Sequence, residues 1–351
     1  MIFRSLFCLT LLCLPLTAHA GYFDQREDVR SFIAEISARN QLDANTLVAA
    51  FADAEVQPRV IDYIKPPSQP GVRSWKRYRA RFLDAPRISG GLKFWQTYQT
   101  TVDEAAKKTG VPAEIIVAII GVETIYGRNT GNFQALSALA TLAFDYPPRA
   151  ELFRRELEAL FLLARDQGEP VGNYLGSYAG AIGLPQFLPS SIRSFAVDGD
   201  GDGRVDLRGN PRDAIHSVAN FLALHGWQRG AEIVRPAVLA EPTANLQPLL
   251  ELGLLPSLDG ALLAAYGISD PQAGPDKELV ALIDFVTPGE PTQYQLGLQN
   301  FYVISRYNRS SFYAMSVVEL ARALRLERAA RSELLATAPP VRKQSGKRSR
   351  R

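Results

Sequence analysis

Ala118-Ile-Ile-Gly-Val-Glu-Thr-Ile-Tyr-Gly-Arg128 places a lone acid, Glu123, at the end of a strongly apolar run. Working back from it, Ile115, Ile116, Ile119 and Ile120 fall at three- and four-residue spacings, which predicts a helix over 113–122. Pro112 can sit in its first turn, where a missing N–H costs nothing. Glu123 then closes the helix among apolar neighbours. Such surroundings destabilise a carboxylate, so its pKa rises and it can stay protonated near neutral pH, as a general acid must. Taken alone, a glutamate at a helix end fits a solvated or ion-paired residue better. The rest of the chain has to decide.

The same periodicity recurs over 29–39, 45–52, 91–109, 150–166, 211–225 and 314–327. Pro211 can open one of these helices as Pro112 does. Between Ala231 and Pro288 the texture changes to short apolar stretches, 232–239 and 279–286, separated by proline and glycine, which predicts a few strands. The expected fold is mainly α, a helical body with a small β-containing insertion at about 231–288 that returns to helix near Phe301.

With 46% hydrophobic and 21% charged residues, the 351-residue chain has the composition of a folded domain. Its first twenty residues read as a secretory signal: Arg4, an apolar run from Ser5 to Leu16, and the small-residue site Ala18-His19-Ala20. Pro15 interrupts that run, which falls short of the roughly twenty residues that span a bilayer. This predicts export to the periplasm with cleavage before Gly21 and no membrane anchor. Both cysteines, Cys8 and Cys13, lie inside the signal, so the exported chain would carry no disulfide. Phe7 and Leu12 precede them where lipid attachment needs a small residue.

The formal charge of +3 is concentrated at one end, since Arg342, Lys343, Lys347, Arg348, Arg350 and Arg351 crowd the last ten residues. Without them and Arg4 the body is acidic, which argues against a nucleic-acid groove. Residues 336–351, marked by Pro339-Pro340, read as a basic disordered tail, either solvated or touching anionic polymer. Residues 21–335 are expected to form the catalytic domain.

Fifty residues beyond Glu123, Gly176-Ser-Tyr-Ala-Gly-Ala-Ile-Gly-Leu-Pro-Gln-Phe-Leu-Pro-Ser190 is dense in small residues, which lets a polymer approach the backbone closely. With Trp75-Lys-Arg-Tyr-Arg79, Gly121-Val-Glu-Thr124, Ala138-Leu-Ala-Thr-Leu142, Tyr146-Pro147, Asp198 to Asp206, Gln299 to Asn308 and Tyr313-Ala-Met315 in order, the sequence resembles the lytic murein transglycosylases of the membrane-bound transglycosylase B family, as a soluble relative. The resemblance covers nearly all of the chain after the signal. It implies a lysozyme-like helical fold, peptidoglycan glycan strands as substrate, no catalytic cofactor, and 1,6-anhydro-N-acetylmuramic acid as product. Cell-wall synthesis or hydrolysis complexes are candidate partners.

An ordinary glycosidase needs two carboxylates, and this loop set offers one convincing candidate. The resemblance implies that the substrate's own acetamido oxygen attacks while Glu123 serves first as acid and then as base. By position in the family's motifs, Ser177 and Gln186 line the cleft, Tyr307, Asn308 and Tyr313 form a polar and aromatic wall, and Arg149 meets the peptide or carboxylate side of the substrate. The tyrosines fit packing equally well. Leu184-Pro185 stands where relatives more often carry a polar or glycine pair, and Pro148 where some carry a second arginine.

Asp198-Gly-Asp-Gly-Asp-Gly-Arg-Val-Asp206 follows an EF-hand loop through nine positions. Asp198, Asp200, Asp202 and Asp206 supply carboxylates, Arg204 a backbone carbonyl, and Gly203 the sharp turn. The twelfth position is Gly209, so a last ligand would come from Asn210 or Asp213, neither at standard spacing. A structural Ca2+ in the loop 198–209 is expected, against an empty acidic turn.

Other chemistries fare poorly. Ser177 is one residue off a nucleophile elbow, and His216 and His225 are nine residues apart on one expected helix, which suits packing better than zinc. The competing class is a non-catalytic peptidoglycan-binding scaffold, against which Glu123 itself argues.

Overall fold

The computed structural model describes residues 21–66, 71–240, 245–273 and 278–337. The expected signal and most of the basic tail lie outside them. The first helices are α1 (Glu27–Asn40), α2 (Ala44–Asp53), α3 (Pro58–Ile64), α4 (Trp75–Ala80), α5 (Ala85–Thr97), α6 (Gln99–Thr109) and α7 (Ala113–Thr124). They are followed by α8 (Ala135–Asp145), α9 (Ala150–Gln167), α10 (Pro189–Phe195) and α11 (Pro211–Leu224). Short α12 (Gln247–Leu250) and α13 (Gly260–Ala265) precede α14 (Gln299–Ser305) and α15 (Ser311–Thr337).

Local chemistry sets many of these ends. Asp43, Asp84 and Asn210 cap α2, α5 and α11 by accepting N–H bonds from Thr46, Arg87 and Arg212 at 2.8, 2.8 and 3.0 Å. Gly110 and Gly168 close α6 and α9 in the left-handed conformation. Pro112 stands at the N-cap of α7, one position before the first turn expected for it. The single helix expected over 91–109 is broken at Tyr98, whose φ of −110° and ψ of 27° separate α5 from α6.

The core is built around α7. Residues 115–122 are all buried, so the helix is apolar on every side, the pattern of an innermost helix. It packs against α5, α6, α11 and α15, while α8 and α9 pair with each other beside it.

The strands are few: β1 (Phe133–Gln134), β2 (Leu175–Gly176), β3 (Val234–Pro236), β4 (Val238–Leu239), β5 (Ile268–Ser269), β6 (Ala281–Phe285) and β7 (Gln293–Gly297). β1 pairs antiparallel with β2, with Phe133 opposite Gly176. The β-containing insertion is a three-stranded antiparallel sheet in the order β3-β7-β6 beside the β4-β5 pair. Its own small core gathers Leu246, Leu249, Leu258, Leu263, Ile268 and Leu296. The sheet runs on to Gly297, beyond the expected limit near 288.

Candidate active site

Immediately after Glu123 and Thr124 the chain stays left-handed for three residues, Ile125 at φ 52°, Tyr126 at 59° and Gly127 at 87°. A β-branched residue there costs of order 1–3 kcal/mol, so the surroundings must hold it. They do so through Tyr126, whose hydroxyl donates to the Arg87 carbonyl at 2.9 Å, and through Arg87, whose Nε donates to the Gly121 carbonyl at 3.1 Å. A Cβ at Gly121 would lie 2.4 Å from the Tyr126 hydroxyl, so only glycine leaves room for that ring.

Glu123 keeps part of its surface open while protein atoms crowd its carboxyl. Burial raises its pKa to about 7, and a hydrogen bond from Tyr313 pulls the other way. The Tyr313 hydroxyl donates to Oε1 at 2.6 Å. No second carboxylate contributes to the shift among the described residues. Tyr307 lies nearly parallel to Tyr313, at 15° with ring centroids 6.3 Å apart. Burial, with the charge of Glu123 added, holds both phenols well above their usual pKa, so both act as neutral donors.

The small-residue loop is fastened to the acid's helix at one corner. Thr124 Oγ1 donates to the Leu184 carbonyl at 2.8 Å, and the Tyr307 hydroxyl donates to the next carbonyl, Pro185, at 2.5 Å. Gln186 takes a left-handed φ of 51°, and its Nε2 donates to the carbonyls of Gly183 at 2.9 Å and Thr130 at 3.0 Å. Ser177 organises the other end of the loop, its hydroxyl accepting from the N–H groups of Ala179 at 3.3 Å and Ala181 at 3.1 Å. Beyond the corner, buried Glu156 accepts both the N–H and the hydroxyl of Ser190, at 3.0 and 2.7 Å.

Among the sequence-derived residues, Glu123 and Tyr313 meet directly, and Tyr307 and Gln186 join through the Leu184–Gln186 corner. Asn308 is exposed beside Tyr307. Arg149 stands apart at the start of α9, exposed, with its guanidinium over the Phe153 ring at 5.3 Å. Three residues escaped the sequence reading. Tyr78 is raised in pKa by burial first and also by the charge of Glu123. Thr124 and Thr130 hold the loop; Thr124 had a signal in its place next to the acid, and Tyr78 one in the Trp75–Arg79 motif.

In the acidic loop, carboxylate oxygens of Asp198, Asp200 and Asp202 lie within 4.8 Å of one another, an oxygen set suited to a hard cation. Asp198 accepts from the N–H of Gly203 at 2.8 Å and of Gly201 at 2.6 Å, which lowers its pKa. Asp206 is turned differently: its Oδ1 accepts the N–H groups of Arg208 and Gly209 at 2.9 and 3.0 Å. Asp213 is fully buried and accepts the N–H groups of Gly199 and Asp206 at 2.8 and 2.7 Å, bracing both ends of the loop. Asn210 donates to Asp200 at 3.0 Å and caps α11. His225 stacks on Phe221 with centroids 4.0 Å apart, and burial lowers the pKa of His216.

Comparison with known proteins places these features. The transglycosylase SLT domain model matches residues 24–322. Membrane-bound lytic murein transglycosylase B of Escherichia coli is 39% identical over 317 residues, 88% of this chain and 85% of that protein. The solved soluble lytic transglycosylase SltB1 from Pseudomonas aeruginosa superimposes with a TM-score of 0.80 at 42% identity, over 86% of this chain and 99% of that one. The Escherichia coli lytic transglycosylase Slt35 in complex with calcium gives a TM-score of 0.79 at 37% identity, over 88% and 96% of the two chains. The helical, lysozyme-like fold is theirs too. No described helix is long and apolar enough to cross a membrane. By family match, identity and fold together, the chain belongs to the lytic transglycosylases of the transglycosylase SLT domain family.

Proposed function

We propose that this enzyme cleaves the MurNAc-β-1,4-GlcNAc bond of peptidoglycan strands in the periplasm, with Glu123 as acid and then base, and leaves 1,6-anhydro-MurNAc ends. The observation that carries the reading is the desolvated carboxyl of Glu123, with a pKa raised to about 7 and one oxygen engaged by Tyr313 at 2.6 Å. Because Oε1 accepts the Tyr313 hydroxyl, the proton resides on Oε2. From there it passes to the departing glycosidic oxygen while the sugar's own acetamido oxygen bonds to the anomeric carbon. The Glu123 carboxylate next takes the proton of the C6 hydroxyl, whose oxygen displaces the acetamido oxygen and closes the anhydro ring. One group performs both transfers, as a pKa near the working pH favours.

In this reading Gln186 and Ser177 shape the loop that receives the acetamido sugar, Tyr307 and Tyr313 wall the acid, and Asn308 and Arg149 contribute at the rim. The carboxylates of Asp198, Asp200 and Asp202, with the carbonyl of Arg204, hold a structural Ca2+, a role supported by the calcium complex of Slt35. The ion steadies the loop and takes no part in the chemistry. Incubating sacculi with the protein is expected to release anhydromuropeptides detectable by mass spectrometry, and Glu123→Gln to release on the order of 10³-fold less. Fragments ending in reducing N-acetylmuramic acid would overturn the proposal.

A further inference from the structure

A second group of aromatic side chains stands outside the Glu123 cluster. Tyr63, in the last turn of α3, lies 5.5 Å from Tyr178 at 63° and 6.2 Å from Phe133 at 87°, centroid to centroid. Tyr63 is 48% exposed and Tyr178 37% exposed, more than packing alone requires of such rings. Arg59, one turn earlier on α3, is exposed, and its Nη2 donates to the Tyr63 hydroxyl at 2.6 Å. Its guanidinium also lies over the Tyr63 ring, 5.6 Å from the centroid, so the patch combines exposed aromatic surface with a cation.

Backbone contacts tie this patch to the acid's loop. Tyr178 follows Ser177 directly, and Phe133 pairs with Gly176 across β1 and β2. Gly131, at φ 89°, lets the two segments touch, since a Cβ there would come within 2.1 Å of the Gly176 carbonyl. One residue earlier, the Thr130 carbonyl accepts the Gln186 amide at 3.0 Å. Thr130 and Phe133 are three residues apart, a reach of at most about 10 Å. The patch therefore rests on the same segments, 130–134 and 176–178, that hold Gln186 and Ser177, within reach of a polymer bound at the acid's loop.

We infer that Tyr63 and Tyr178, with Arg59, form a distal sugar-binding subsite that grips the glycan strand beyond the residues being cut. The inference rests on the proposed function for its ligand. Tyrosine rings offer pyranose faces an apolar surface and a polar edge, and Arg59 offers the carboxylates borne along such a strand a cationic partner.

The test compares long uncrosslinked glycan strands with a tetrasaccharide fragment. Changing Tyr63→Ala together with Tyr178→Ala is expected to raise KM for long strands on the order of tenfold, with kcat and the kinetics on the fragment unchanged. Tyr63→Phe with Tyr178→Phe, which keeps both rings, should restore most of the affinity. Equal KM values for parent and alanine variant on long strands, or an equal rise on both substrates, would overturn the subsite. Repeating the comparison as strand binding in a Glu123→Gln background separates the two readings. There the alanine pair should still weaken binding to long strands even if the chemistry assigned to Glu123 proved wrong, and undiminished binding would again overturn the subsite.

Discussion

Glu123 and the aspartate loop at 198–206 use the same functional group in opposite surroundings. The carboxyl of Glu123 is crowded by protein and has one hydroxyl partner, so burial wins and its pKa climbs to about 7. Asp198 lies at the surface and collects backbone N–H groups, Gly203 first, so hydrogen bonding wins and its pKa falls. Desolvation prepares a carboxyl to give up and take back a proton, while donor-rich solvation keeps a carboxylate charged, the form that a cation needs. Two carboxyl groups of similar intrinsic strength are thus driven in opposite directions, one by burial and the other by backbone donors.

The most severe break in this contrast is Glu123→Gln. Removal of a general acid that doubles as base should lower the release of anhydromuropeptides on the order of 10³-fold or more, measured by mass spectrometry of digested sacculi. The same substitution should stabilise the fold at neutral pH. A group whose folded pKa is raised favours the native state fully below the unfolded pKa, and that contribution is lost as pH rises through the folded value. The parent should therefore lose about 3 kcal/mol as pH rises from roughly 4.5 through 7, a loss that melting curves of Glu123→Gln should lack.

Tyr313→Phe sharpens the contrast without removing the acid. The Tyr313 hydrogen bond lowers the pKa of Glu123, so its loss leaves burial unopposed and the pKa should rise further. The fall of kcat/KM that is expected near pH 7 in the parent should move to higher pH, with a rate loss of about tenfold. A profile that stays in place would detach Tyr313 from the acid. The smallest effect is expected at the loop. Asp200→Asn with Asp202→Asn should remove about 1 kcal/mol of calcium-dependent stability, a few degrees in Tm at millimolar calcium. Identical melting of the parent in calcium and in chelator would remove the metal.

Helices with one-sided apolar spacing were legible in the sequence, and so was the acid, because Ile115 to Ile120 announce both the helix and its environment. α8 was not, since Ala135 to Phe144 are all buried and offer no polar face to mark a period. β7 escaped because its alternation of Gln293 and Gln295 with Tyr294 and Leu296 is short and lies beyond the apolar stretches at 232–239 and 279–286. The aspartate loop was readable as a motif, yet the turn of Asp206 toward Arg208 and Gly209 depends on buried Asp213, seven residues on. Tyr78 feels the charge of Glu123 from a separate helix, α4, which packs on α15, a relation that no local spacing encodes.

Because the acid rides at the end of a helix enclosed on every side by its neighbours, partial fraying has no route to it. Heat inactivation should then coincide with collapse of the whole molecule, and amide hydrogens along Ile116 to Val122 should exchange among the slowest in the protein.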